Sequence, residues 1–303
     1  CIIFYLTEIL NKMEIRLASE CPPLAALITP SASEHTRLVT PGEVIYEDTS
    51  YMRGHGTYME NGQQIASVAG YVTQVNRLVT VTPLRQLYQG AVGDTIVGRV
   101  TQVGGGRWKL DVNSRLDAEL RLVNVQLPGG EQRRKNVEDE RGMRDLLSEG
   151  ALVCVEVQKE GQDGILRLAA RTTKFGKLGQ GTLVTVSPSL LVQDKQRMHD
   201  LPCGARVIFG ANGYIYISPT CDQEQAMSYT DNYEEIGLEI RQTIGRLCNC
   251  IRALSKHSVM LSPTSLMAAH DSSLQQDIPV KDLLKPDVMR DIAIATLQVV
   301  ADS

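Results

Sequence analysis

Between Val92 and Arg171 the sequence sets out five short runs in which apolar and polar residues alternate: VGDTIVGRVTQV, RWKLDVN, RLDAELRL, ALVCVEVQKE and GILRLAAR. In the first, apolar residues stand at Ile96, Val100 and Val103. Alternation of this kind describes strands with one buried face. The insert LPGGEQRRKNVEDERGMRDLLSEG, between the third and fourth runs, breaks the pattern. Met143, Leu146 and Leu147 there share a helical face, and Gly150 supplies a stop. Five strands with a helical connection between the third and fourth is the plan of an OB-fold, a small barrel that binds oligonucleotides on one face. We place it at residues 86–176.

A β-rich module precedes it, over residues 38–85. LVTPGEVIY and NRLVTVTPL read as strands, and Asn61-Gly62 within TYMENGQQIASVAG is a preferred pair for a tight hairpin. A third module covers residues 177–303. GTLVTVSP, RVIF and YIYISP are its strands, and SLLVQDKQRM is a short helix or loop. A long helix follows: Asp231 and Glu234 have capping-box spacing, and Ile236, Ile240, Ile244, Leu247, Ile251 and Leu254 form one apolar stripe. PDVMRDIAIATLQVV, with Pro286 in its first turn, reads as a terminal helix. The fold class expected is therefore α+β and multidomain.

The opening run CIIFYLTEIL lasts about ten residues before Asn11, Lys12 and Glu14, against the roughly twenty needed to span a bilayer. No membrane partner is expected. Met13 reads as a more natural start than Cys1, and residues 1–37 are left unplaced. Seven cysteines without a CxxC pair suggest a reducing compartment rather than a disulfide framework.

Motifs for catalysis are missing from the sequence. The five histidines are scattered, and HExxH, CxxC and GxxxxGK[ST] do not occur, so no cofactor or metal is expected. Gly104-Gly105-Gly106 precedes Arg107-Trp108 and reads as a hairpin turn rather than a phosphate loop. Glu138-Asp139-Glu140 reads as charge compensating a helix start.

Charge points instead to nucleic acid at one place. The chain carries a net −4, yet residues 80–180 hold 16 lysines and arginines against 13 acidic residues. Arg99, Arg107, Lys109, Arg115 and Arg121 lie on or beside the first three barrel strands, and Arg133, Arg134 and Lys135 lie in the long connection. These residues are either a solvated strand face or an RNA-binding surface, where cations follow phosphates. Trp108 is either a platform on which a base stacks or a packing anchor.

The segment RVIFGANGYIYI contains Gly210-Ala211-Asn212-Gly213, the GxxG spacing with which a K-homology domain grips a nucleotide backbone. Such a clamp lies between helices, whereas this one lies between two β-type runs. From Gly181 onward there are 10 basic against 14 acidic residues, which would repel phosphate. A structural turn at Gly210, Asn212 and Gly213 is therefore the expectation.

Five blocks in order carry a family resemblance: MRGHGTYM followed by IASVAG, RWKLDVNSRLDAEL, LPGGEQRRKN, KLGQGTLVTVSPSL, and HDLPCGARVIFGANGYIYISP. From about Leu38 onward the chain resembles the cap subunits of the eukaryotic RNA exosome, and among them the ribosomal RNA-processing protein 4 (exosome component 2) family. The resemblance implies a β-rich N-terminal domain, an S1-type OB-fold barrel and a K-homology α/β domain with C-terminal helices. It implies a GxNG turn, matched by Gly210, Asn212 and Gly213, that packs the barrel against the K-homology domain. It also implies a protein without nuclease activity, found in the nucleus, nucleolus and cytoplasm. Such a protein sits with other cap subunits on a ring of RNase PH-like proteins and guides single-stranded RNA into the channel for associated ribonucleases. Under this reading Met52, Arg53, Gly54, His55, Gly56 and Tyr58 form a contact with the ring, or else a strained loop within the first module. The competing functions are a free-standing S1-type RNA-binding protein and a ribonuclease.

Overall fold

The computed structural model describes residues 37–47, 50–83, 87–126, 136–161, 163–171, 175–192, 194–220 and 235–302. Its first two sheets share one small core. Strands β1 (Leu38–Val39), β6 (Gly70–Val75), β7 (Leu78–Pro83) and β3 (Met52–Arg53) make one sheet in the order β1-β6-β7-β3. Strands β2 (Val44–Tyr46), β5 (Gln63–Ala66) and β4 (Thr57–Glu60) make the other, in the order β2-β5-β4. Val39, Ile45, Ala66, Val79 and Val81 are buried between them. Asn61 and Gly62 turn the β4–β5 hairpin with φ of 51° and 82°, the left-handed pair that a two-residue hairpin needs.

The barrel follows as its alternation requires. Strands β8 (Thr95–Gly104), β9 (Arg107–Asp111), β10 (Ala118–Val125), β11 (Leu152–Glu160) and β12 (Leu166–Ala170) run in the order β12-β10-β9-β8-β11, β12 pairs with β11 to close the ring, and the short β13 (Gly176–Lys177) adds to β11. The β10–β12 pairing is parallel and the other ring pairings are antiparallel. Gly105 and Gly106 turn β8 into β9 with φ of 62° and 69°. The connection from β10 to β11 holds two short helices, α1 (Val137–Arg141) and α2 (Met143–Leu146). Met143 and Leu147 cap the barrel interior with Ile96, Val100, Leu110, Leu120, Val155 and Leu168. The Asp139 side chain accepts from the Asn136 backbone N–H at 2.8 Å, so its carboxylate is used at the helix start.

The third sheet has the order β14-β17-β16-β15, all antiparallel, from β14 (Thr182–Thr185), β15 (Met198–Asp200), β16 (Ala205–Phe209) and β17 (Tyr214–Pro219). Helices α3 (Leu238–Lys256), α4 (Pro263–Gln275) and α5 (Pro286–Asp302) complete it. Ile244, Leu247, Ile251 and Leu254 are buried, whereas Ile240 is 38% exposed and Ile236 precedes the helix, so the expected apolar stripe begins two positions late. Asp231 and Glu234 lie outside the described residues. Helix α4 was hidden from periodicity because Ser265, Ala269, His270 and Ser273 fill most of its buried face. It is fixed by Ser262, whose hydroxyl accepts from the Ser265 N–H at 3.0 Å, and by Pro263 at its start. The SLLVQDKQRM segment opens as a single 3-10 turn, Pro188–Leu190.

Between barrel and third sheet lies a further apolar core of Val97, Cys154, Leu178, Ile208, Tyr214 and Tyr216. Strand β8 therefore buries both faces, Ile96 inward and Val97 outward. Among the described residues the cysteines at 154, 203, 248 and 250 are free thiols, and no helix is long and apolar enough to cross a membrane.

Candidate nucleic-acid interface

The outer face of the barrel is ordered by strand register. Lys109 on β9 stands opposite Glu119 on β10, Glu119 opposite Arg167 on β12, and Arg167 opposite Lys159 on β11. Beside that row Arg107 stands opposite Arg121. Directly opposed residues on neighbouring strands point to the same side, so these charges share one surface. Glu119 is its centre. Its Oε1 accepts from Arg107 Nη1 at 2.7 Å, and its Oε2 lies 4.0 Å from Arg121 Nη2. Its side chain is only 12% exposed, against 49% and 51% for the two arginines. One carboxylate thus orients two arginines and neutralises part of their charge.

The remaining predicted cations are more scattered. Arg99 is exposed on β8 opposite Asp111, and Arg115 is exposed in the β9–β10 connection, with its guanidinium near Gly164 of the β11–β12 loop. Arg133, Arg134 and Lys135 lie outside the described residues. Trp108 needs correction as a candidate for RNA contact. It has no exposed surface, lies in the barrel core, and donates its indole N–H to the Leu147 carbonyl at 3.1 Å. Alternation explains this: Arg107 and Lys109 point outward, so Trp108 between them points in. A base has no access to it.

The GANG turn is built into the barrel. All four residues are buried. Gly210 N–H donates to Tyr214 O at 2.9 Å, Ala211 N–H to Thr95 O at 3.0 Å, and Gly213 N–H to Gly210 O at 3.0 Å. Asn212 donates its side-chain amide to Val97 O at 2.7 Å and to Val112 O at 3.0 Å, while its backbone carbonyl accepts from Asn113 Nδ2 at 2.9 Å. Gly213 has φ of +87°, and a Cβ there would stand 2.3 Å from the Val186 carbonyl oxygen. A phosphate clamp needs backbone N–H groups facing solvent, and here those of Gly210, Ala211 and Gly213 are engaged with protein carbonyls. Next to the turn, Tyr214 donates to Asp111 Oδ2 at 3.1 Å. Burial first, then the neighbouring Asp111 charge, pushes its pKa up to about 12.

In the first module, the MRGHG segment lies along β7. Met52 and Arg53 pair in parallel with Leu78 and Val79, and Gly54 N–H donates to Val79 O at 2.9 Å. A Cβ on Gly54 would meet Val79 O at 2.6 Å, and one on Gly56 would meet Val81 O at 2.6 Å. Close approach within the module is sufficient reason for both glycines. Arg53, His55 and Tyr58 are exposed. Sequence reasoning missed the face around Met52: Leu38, Tyr71, Val75 and Leu78 lie in register with one another or with Met52 on the solvent side of the sheet, 40% to 64% exposed. The signal was present, since GYVTQV and RLVTVTP carry apolar residues in both phases of the alternation.

Residues 38–75 match the family model described as "Exosome complex exonuclease RRP4 N-terminal region", residues 87–159 "RRP4, S1 domain", and residues 181–223 "KH domain". The Exosome complex component RRP4 of Mus musculus is 47% identical over 292 residues, covering 96% of this chain and 98% of that protein. The chain belongs to the RRP4 family of exosome complex components. The Exosome complex component RRP4 of Bos taurus is 46% identical, covering 94% of this chain and 97% of its own length. The RRP4 homolog of Caenorhabditis elegans is 39% identical over 86% of each. With family models matched in all three β modules, the RRP4 architecture here is a β-rich N-terminal region, an S1 barrel and a KH domain followed by C-terminal helices.

Proposed function

We propose that this chain is an RNA-binding, non-catalytic cap and scaffold subunit of the RNA exosome, guiding single-stranded RNA to ribonucleases that other subunits supply. The single observation that carries this reading is the cationic outer face of the S1 barrel, organised by Glu119, in an RRP4-family chain whose remainder is acidic. Arg99, Arg107, Lys109, Arg115 and Arg121 are the proposed RNA contacts, joined by Arg133, Arg134 and Lys135. Such a face attracts phosphate through long-range charge, with stacking by Trp108 ruled out by its burial. A modest net charge suits a passage through which RNA must keep moving.

The non-catalytic part of the reading is supported by what the carboxylates of this face are occupied with. Glu119 holds Arg107, and Asp111 accepts from the Tyr214 hydroxyl and the Asn113 N–H. Both serve the architecture. The N-terminal module supplies the scaffold contact in this reading: Met52, Arg53, His55 and Tyr58, extended by Leu38, Tyr71, Val75 and Leu78, face an RNase PH-like ring subunit. Other cap subunits and associated ribonucleases complete the assembly, and the nucleus, nucleolus and cytoplasm are the proposed sites of action. The turn formed by Gly210, Asn212 and Gly213 has a structural role, joining the S1 and KH domains.

The test is a pull-down of the tagged chain from cell extract with mass spectrometry. Recovery of RNase PH-like proteins with it is expected. A chain that elutes alone as a stable monomer contradicts the scaffold role and favours a free-standing S1-type RNA-binding protein.

A further inference from the structure

The cationic surface does not stop at β10. Past it, β10, β12 and β11 border an open groove of about 510 Å³ lined by Arg121, Val123, Asn124, Gln158, Lys159 and Arg167. Three cations and two amides line this groove without a carboxylate. Among the described residues, neither Lys159 nor Arg167 makes an ion pair, and Arg121 reaches Glu119 only at 4.0 Å. The floor is fixed by a chain of hydrogen bonds. Arg171 Nη2 donates to Asn124 Oδ1 at 2.8 Å, and Asn124 Nδ2 donates to Gln158 Oε1 at 3.1 Å and to Leu168 O at 3.2 Å.

Register creates the groove. The ladder between β11 and β12 is interrupted between Val157 and Lys159, which sets Lys159 on the outer side beside Gln158, and that between β10 and β12 is interrupted between Leu120 and Val125. Bulges of this kind re-aim side chains at a sheet's surface. Val123, 73% exposed beside the amides, gives an apolar surface within reach of the cations. Fixed amides, an apolar patch and cations, of which Lys159 and Arg167 have no ion pair among the described residues, are the elements that hold a single strand: phosphate on the cations, base or ribose on the apolar surface.

We propose that this groove is a second binding site for the phosphodiester backbone of single-stranded RNA, entered from the β9–β10 face across the row Lys109, Glu119, Arg167 and Lys159. The proposal rests on the reading of the barrel as an RNA-binding face and extends that face past β10 to β12 and β11. An acidic protein segment would also be attracted by the cations. Continuity with the Lys109 row and the apolar patch between the cations favour a nucleic-acid strand.

The test uses the full chain and fluorescence anisotropy with labelled oligouridine of about 4 and about 12 nucleotides, spanning the range one OB-fold occupies. For the longer strand, the double variant Lys159→Gln with Arg167→Gln is expected to bind roughly tenfold more weakly at moderate salt. Its log–log salt slope should fall by about 1.4, the value for two lost phosphate contacts on a single strand. The shorter strand is expected to bind both proteins alike, a length dependence that a general loss of charge would not give. Cross-links from 4-thiouridine in the longer strand should map to the peptides around Lys159 and Arg167. Circular dichroism melting confirms that the variant is folded, and Lys159→Gln alone, at an exposed position, serves if the pair is unstable. Equal affinity and slope for the longer strand overturn the groove proposal and leave the β9–β10 face standing. So does loss of a partner subunit from the variant's pull-down with RNA binding intact, which would make the groove a protein interface. If the unaltered chain binds neither strand, the RNA reading of the whole barrel fails with it.

Discussion

The Asn212 side-chain amide donates to the carbonyl of Val97 at 2.7 Å, joining residues 115 positions apart. With the bond to Val112, one side chain satisfies a carbonyl on β8 and another just past β9 from a turn of the KH domain. Asn212→Ala would leave both carbonyls buried without that donor. A buried group left unpaired costs about 1–3 kcal/mol, so a loss of roughly 2–4 kcal/mol in unfolding free energy is expected. Denaturant unfolding measures it. Weakened RNA binding with an unchanged unfolding curve would instead make the turn a contact for RNA.

Tyr214 gives the same junction a pH signature. Burial and Asp111 raise the folded pKa to about 12, above the ordinary tyrosine value near 10. The unfolded chain therefore releases this proton first as pH rises, and the stability that the neutral phenol contributes is complete below about pH 10 and lost between there and about 12. Melting temperatures across pH 9 to 12 should fall more steeply for the unaltered chain than for Tyr214→Phe. Parallel curves would mean that the phenol ionises as freely in the fold as in water.

Trp108 is the chain's one tryptophan, and its burial makes it a reporter. Its emission is expected at the short wavelengths of a dry indole, with little quenching by acrylamide and little change on adding RNA. Strong quenching by RNA would mean that the ring stacks on a base. Trp108→Ala should cost about 3–5 kcal/mol, as an emptied aromatic site in a core does.

Glu119 limits the charge that its face presents. Glu119→Gln removes the acceptor charge that holds Arg107, so RNA is expected to bind a few-fold more tightly, with a steeper dependence on salt. Arg107→Glu together with Lys109→Glu and Arg115→Glu should weaken binding and flatten that dependence. Anisotropy titrations at several salt concentrations measure both. A Glu119→Gln protein that binds more weakly would show that the carboxylate's positioning of Arg107 outweighs its charge.

Much of this was legible in the sequence because the barrel obeys one simple period. Arg107, Trp108 and Lys109 alternate out, in, out, and the same rule places Leu120 inside between Glu119 and Arg121. What alternation could not provide was pairing. That Glu119 faces Lys109 on one side and Arg167 on the other depends on strand order and bulges, which bring together residues 48 positions apart and leave no local trace. The exposed apolar sheet around Met52 and Tyr71 was readable from its two-phase pattern, but a strand with apolar residues on both faces looks the same as one buried on both sides. Helix α4 was missed because its buried face includes Ser265, His270 and Ser273.

In the function proposed above, this chain holds RNA and other subunits do the cutting. The most direct measurement incubates the purified chain, at saturating concentration, with single-stranded RNA labelled at its 5′ end, following anisotropy for binding and a denaturing gel for length. Bound RNA recovered at full length is the predicted result. RNA shortened by the chain alone, with the shortening abolished by replacing one of its own carboxylates, would contradict it.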